Sequence, residues 1–268
     1  MPDLSRLRYP KANYLGKAAY DSGSFASGQP VAIIQHYTAG GPAIDRLHGR
    51  NSDSVSVQFV VEKDGTVTQT GLCSQCCHHA GASTWKGLSG FNRLAIGIEQ
   101  ENWGYWRPKI RPATAEAARK AGWLDAVHQS GKGARMLWDP YPESQIKANL
   151  ELCRWLLSEV PTIKYILGHD EIALYRGKVD PGPAFPMHRF RELLSPDSES
   201  KPAKYKVIST DNLNVRALPA STAEKLKWAG EGLAPGTLVE VQDVDGSWSY
   251  IKAKDGQGWV YSLYLRRV

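Results

Sequence analysis

165-YILGHDEIALYRGKVDPGP-183, taken together with 33-IIQHYTAG-40 far upstream, decides the fold and points to its chemistry. In each stretch an apolar run ends at a histidine, His169 or His36, as happens when a strand delivers a side chain to a sheet edge. Asp180 follows on a segment rich in turn residues, immediately ahead of Pro181 and Gly182. Two imidazoles and one carboxylate make the three-ligand set that leaves a zinc ion an open position, whereas structural zinc sites are closed by four ligands. The expectation is a Zn2+ site built for chemistry.

Outward from these stretches, short apolar runs alternate with helical patterns. Residues 31–38, 57–62, 66–70, 94–100 and 163–168 read as strands, and the Asp-Gly in 63-KDGT-66 predicts a hairpin between two of them. Helices are expected from Thr114 to Gln129, with Thr114 as N-cap, from Glu143 to Glu159, and from Pro186 to Leu194. In the second, Ile146, Leu150, Cys153 and Leu157 share one face. The fold class is therefore α/β, a mixed central sheet flanked by helices, over residues 1–194. The polar stretch 195-SPDSESKPAK-204 reads as a linker. Beyond it, 205–210, 212–219, 237–245, 248–254 and 257–265 alternate like the strands of a small all-β barrel over residues 205–268.

The whole chain has 268 residues, 42% hydrophobic and 22% charged, which is ordinary for a globular protein with a sizeable core. Its formal net charge of +6 favours an anionic partner, and the absence of a Lys/Arg block argues against nucleic acid. No run of about 18 apolar residues exists, so no membrane span is expected. The first residues, MPDLSRLRYPKANYLG, lack the apolar core of a secretory signal. The expectation is synthesis in the cytoplasm, with any target outside it reached by release or by a separate export system. Cys153 sits in an apolar helical pattern, while 73-CSQCCHH-79 tempts a second metal site but lacks a second ligand pair. The cluster therefore reads as a loop with incidental thiols.

Among other ionisable groups, Glu99 ends the apolar run 94-LAIGI-98, where a carboxylate is costly unless paired or beside a metal site; the alternative is a strand end facing solvent. Lys178, two residues before Asp180, is either solvated or placed to hold developing negative charge. His48, His128 and His188 have no supporting context. The last segment carries Trp228, Trp248, Tyr250, Trp259, Tyr261 and Tyr264, more aromatic surface than so small a core readily hides. They read as core with scattered surface rings, or as a ligand groove.

The motifs 36-HYTAG-40, 57-VQFVVEKDGTVTQ-69, 79-HAG-81, 92-NRLAIGIEQEN-102 and 168-GHDEIALYRGKVDPGPAFP-186 resemble, in order, those of the zinc-dependent N-acetylmuramoyl-L-alanine amidases, the type 2 amidases related to peptidoglycan recognition proteins and T7-type phage lysozymes. That resemblance implies Zn2+ held by His36, His169 and Asp180, Glu99 as general base, and Lys178 stabilising an oxyanion. It implies that His79 lines the substrate groove and that Asn92 shapes it. The implied partner is peptidoglycan, cut between N-acetylmuramic acid and L-alanine. In 73-CSQCCH-78 the chain departs from the family, which more often has tryptophan before the histidine of HAG. The segment 205–268 resembles a bacterial SH3-like domain through 212-NLNVRALP-219 and 257-QGWVYSLYL-265, which makes Trp248, Trp259 and Tyr261 candidate wall-binding residues. Together these imply a phage or prophage endolysin. The alternatives are a secreted antibacterial amidase and a recognition protein that binds peptidoglycan without cutting it.

Overall fold

The computed structural model describes residues 3–50, 54–108, 110, 112–128, 130, 134–194, 204–219, 221–245 and 248–268. The chain divides into two compact units, Met1–Leu194 and Ser195–Val268. The expected linker, apart from Lys204, lies outside the described residues.

The first unit is built on a six-stranded sheet. Its strands are β1 (Ala12–Tyr14), β2 (Ala32–Tyr37), β3 (Phe59–Val61), β4 (Val67–Gln69), β5 (Ala95–Gln100) and β6 (Tyr165–Gly168), in the order β1-β4-β3-β5-β2-β6. Only the β3–β4 hairpin is antiparallel, closed by a turn in which Glu62 N–H donates to the Thr66 carbonyl and Gly65 takes φ +95°. The other neighbours run parallel. β2 and β5 lie at the centre and are buried almost throughout, which is why they read as continuous apolar runs rather than alternating ones.

Alternation reappears in which core each side chain joins. Ile33, Ile96 and Ile98 enter a core with Ile146, Leu150, Leu152, Cys153 and Leu156, while Ala32, Ile34, Ala95 and Leu167 enter another with Ile172 and Ala173. The first core is roofed by the helix Glu143–Glu159, whose bounds match the sequence expectation, with Leu157 only half-buried at its margin. Burying each such Leu or Ile contributes roughly 1.5–3 kcal/mol. Buried amides fix this helix in register: Asn149 Nδ2 donates to Gln35 Oε1 (2.9 Å), as does Gln100 Nε2 (3.1 Å), and Gln145 Nε2 donates to the Val61 carbonyl (2.9 Å). Because Gln35 faces the helix, His36, one residue on, faces the other side of the sheet.

Some expectations need correction. The helix begun at Thr114, whose Oγ1 accepts from Ala117 N–H (3.1 Å), covers only Ala115–Lys120. Gly122 (φ +83°) ends it: Trp123 N–H bonds the Ala118 carbonyl and Gly122 N–H that of Arg119, the Schellman pattern, with Trp123 and Ala118 in one apolar cluster. The chain then forms a ribbon, Leu124–Ala126 paired with Met136–Trp138; Gln129 lies outside the described residues. The helix expected from Pro186 to Leu194 is present, with Pro186 at its N-cap, α-helical over Met187–Arg191 and 3-10 over Glu192–Leu194. Residues 212–219 form no strand, making isolated bridges at Leu213 and Arg216.

The second unit is an antiparallel sheet of β7 (Lys204–Val207), β8 (Leu238–Asp245), β9 (Trp248–Lys252), β10 (Gln257–Tyr261) and β11 (Leu265–Arg267), ordered β10-β9-β8-β7-β11. The expected strand 257–265 is split by a 3-10 turn, Ser262–Tyr264. Its core is Val207, Leu213, Val215, Leu233, Val239, Ile251 and Val260. Among the described residues the edge strands β10 and β11 do not pair, so the sheet is open rather than the closed barrel expected.

Candidate metal centre and its cleft

Parallel strands place their carboxyl ends along one edge, where open α/β sheets gather their ligands. His36 is the fifth residue of β2 and pairs in register with Glu99 of β5, so both side chains leave the same face. His169 directly follows β6 and opens the short helix His169–Ala173. Asp180 comes back from the following loop, held by a bond from Asp170 N–H to the Asp180 carbonyl (2.8 Å).

The three side chains converge on one point. His36 Nδ1 lies 3.0 Å from His169 Nδ1, and Asp180 Oδ2 is 3.2 Å from the first and 2.9 Å from the second. All three residues are buried, and among the described residues this is the one group of His, Cys, Asp and Glu able to converge on a metal ion. Burial, reinforced by His169, pulls the His36 pKa down to about 4, so that ring is neutral and offers a lone pair at pH 7. Burial alone would raise Asp180, but His169 and His36 outweigh it and hold the carboxyl well below its usual range.

Glu99 is buried (8% exposed), and burial, then the Asp180 charge, pushes its pKa up to about 8 against the opposing pull of Arg46 and Lys178. Its Oε2 has no hydrogen-bond partner among the described residues. A buried carboxylate so placed calls for a proton, a cation or a polar ligand. Lys178 is half-buried on the ligand loop, close enough for its charge to act on both His36 and Glu99.

These residues border a cleft of about 790 Å³. His79 and Asn92 border it as well, but His79 is buried (8% exposed) and its Nδ1 lies 3.0 Å from His36 Nε2. Asn92 Oδ1 accepts from the backbone N–H of His79 (3.1 Å) and Ala80 (2.7 Å). Sequence reasoning missed the guanidinium groups of Arg46, Arg107 and Arg176 on the cleft walls, which no local pattern marks. It also missed a buried pair: His128 Nε2, two residues beyond the strand Leu124–Ala126, lies 3.1 Å from Asp170 Oδ2 in the helix His169–Ala173.

The cysteine cluster takes no part. Cys73, Cys76 and Cys77 are free thiols and fully buried; burial lifts Cys73 to about 12 and Cys76 to about 11, so they are inert packing groups. In the second unit Trp248 and Tyr261 meet edge-on at 5.5 Å and, with Tyr264, line a separate pocket of about 260 Å³. Trp259 pairs instead with Tyr250, at 5.3 Å.

Comparison with known proteins agrees with this geometry. The family described as N-acetylmuramoyl-L-alanine amidase matches residues 26–183. The chain is similar to the 1,6-anhydro-N-acetylmuramyl-L-alanine amidase AmpD of Enterobacter cloacae, 27% identical over 193 residues covering 65% of this chain and 85% of that one. The Escherichia coli K12 protein of the same name is 28% identical over 189 residues, covering 63% and 85%. A crystal structure of a Se-Met AmpD derivative superposes with a TM-score of 0.51 at 22% identity, over 73% of this chain and 99% of that one.

Proposed function

The chain belongs to the N-acetylmuramoyl-L-alanine amidase family, and on that premise we propose how its residues divide the hydrolysis of the amide joining N-acetylmuramic acid to the L-alanine of the stem peptide. The reaction is zinc-dependent, and the observation that carries this reading is the convergence of two imidazole nitrogens and a carboxylate oxygen at a buried point on the cleft wall. The donor set fits zinc: two imidazole nitrogens and one carboxylate oxygen, with Glu99, whose Oε2 has no partner among the described residues, bordering the same cleft. His36, His169 and Asp180 would hold the ion, which when bound polarises a carbonyl and makes water a better nucleophile near neutral pH.

Glu99 takes the proton of the attacking water at its carboxylate and returns it to the departing alanine nitrogen. Its raised pKa suits both halves of that transfer. Lys178 faces the same space and holds the negative charge that gathers on the amide oxygen. Arg46, Arg107 and Arg176 give the cleft a cationic lining suited to the free carboxylates of a stem peptide.

We assign residues 205–268 to wall binding, as an SH3-like module. The supporting observation is the pocket with its aromatic floor of Trp248, Tyr261 and Tyr264. Trp259 lies on the same outer face, beside Tyr250. A catalytic unit joined to a wall-binding unit suits an endolysin acting on the cell wall after release from the cytoplasm. Finding a holin gene alongside would support that role; an immunity gene would replace it with a secreted effector.

The test is hydrolysis of purified muropeptides by zinc-loaded protein, followed by the appearance of free L-alanine amino groups. Asp180→Ala should abolish product and zinc uptake together. Product formed equally by native protein and Asp180→Ala would refute hydrolysis at this centre.

A further inference from the structure

A neutral imidazole has one N–H and one lone pair, so a ligand histidine can bind metal through Nδ1 only when its proton sits on Nε2. Both ligand histidines here turn Nδ1 towards Asp180. What lies behind them decides whether that nitrogen is free to bind.

Behind His169 the answer is direct. Its Nε2 lies 3.3 Å from the Ala80 carbonyl, which only accepts, so Nε2 carries the proton. Behind His36 stands another ring, and two imidazole nitrogens 3.0 Å apart, His36 Nε2 and His79 Nδ1, could share a proton either way. The ambiguity is resolved one step further out. His79 Nε2 lies 3.3 Å from the Ala95 carbonyl, again an acceptor only, so His79 is protonated there and offers its Nδ1 lone pair to His36 Nε2–H. The backbone of β5 thus sets the state of His36 through an intervening ring.

Two further features hold that ring in place. Asn92 Oδ1 receives the N–H groups of both His79 and Ala80, fixing the dipeptide that serves both ligands. Gly97 of β5 provides the space, because a Cβ there would come within 2.7 Å of His79 Cγ and 2.8 Å of Val57 Cγ2.

We infer that the His79–Ala80 dipeptide, pinned by Asn92 and bedded on Gly97, is a tautomer clamp for both ligand histidines, and that His79 is a positioning residue acting through His36. The inference rests on the zinc-hydrolase reading above and assigns His79 a role beyond lining the groove. Hydrogen-bond partners behind a metal ligand are typically worth about 10–100-fold in metal affinity.

The experiment measures zinc affinity of the full-length chain against a chromophoric chelator, with the histidine tautomers read by long-range 15N–1H NMR of the metal-free protein. His79→Phe keeps the ring but removes the acceptor and should weaken zinc roughly 10–100-fold, with the His36 proton redistributed between Nδ1 and Nε2. His79→Gln can accept from His36 and donate to Ala95, and should recover affinity to within about threefold of native. Asn92→Leu should weaken zinc, whereas Asn92→Asp, which keeps the acceptor, should weaken it less.

Native affinity in a folded His79→Phe protein overturns the clamp, as does a folded His79→Gln protein that binds no better than the phenylalanine variant. Should His79→Phe fail to fold, the glutamine variant decides alone. Native protein that takes up no zinc would instead refute the hydrolase reading. The tautomer of His36 in the metal-free native chain then decides the clamp: Nε2–H sustains it and Nδ1–H sinks it.

Discussion

Glu99 shows how one residue's placement sets both chemistry and stability. Its folded pKa of about 8 exceeds the reference value of 4.5, so between those limits the folded chain holds a proton that the unfolded chain has released. The stability this contributes is complete below pH 4.5 and is lost as pH rises through 8. Metal-free Glu99→Gln should therefore match native protein in thermal unfolding near pH 4.5 and exceed it above pH 8, by on the order of a few kcal/mol. Equal pH profiles for the two proteins would contradict the burial argument. On muropeptides the same variant should lose roughly 10²–10⁴-fold in kcat with zinc affinity largely retained, as expected for a base rather than a ligand. Of these residues, His36, His169 and Glu99 are legible in sequence because each terminates an apolar run. The link between His36 and His79 is not, since it depends on a contact between segments that no local pattern joins. The His128–Asp170 pair was hidden for the same reason.

Among elements, β5 makes the sharpest demand. Its residues alternate between Ile96 and Ile98 in the core and Gly97 and Glu99 on the site face, so one strand both anchors the sheet and shapes the centre. Gly97→Ala should displace the His79 ring and lower zinc affinity about tenfold, measured by chelator competition. The helix after Thr114 tests a different force: Thr114→Ala removes its cap bond and should cost about 1 kcal/mol in chemical denaturation without changing zinc affinity. Long periodic elements were the most legible. Helix Glu143–Glu159 has a clear apolar stripe and no internal breaker, whereas Gly122 cut the helix expected through Gln129, a stop that the glycine itself announced. Residues 212–219 alternate like a strand but spend their hydrogen bonds on isolated bridges, a choice made by tertiary partners.

For the molecule as a whole, the chain divides into two compact units, and the wall-binding role proposed for the second can be tested by removing it. Removing residues 205–268 should leave turnover of soluble muropeptides near native while sharply reducing co-sedimentation with purified sacculi, because tethering raises local concentration without altering the bond-breaking step. Unchanged sedimentation would move wall affinity to the catalytic unit. The separate textures of the two parts, runs with helices in one and short alternations in the other, were plain in the sequence. Whether the second part's sheet closes was not, because closure depends on how its edge strands meet.

The three ligands also act on the chain's endurance. His36 and His169 lie 133 positions apart, so a zinc ion shared between them fastens distant stretches of the first unit and favours the folded form by mass action. Starved of zinc, the protein should open more often and be digested sooner, with a half-life under protease that lengthens as free zinc rises. Metal supply would then govern how long each molecule survives as well as how fast it works.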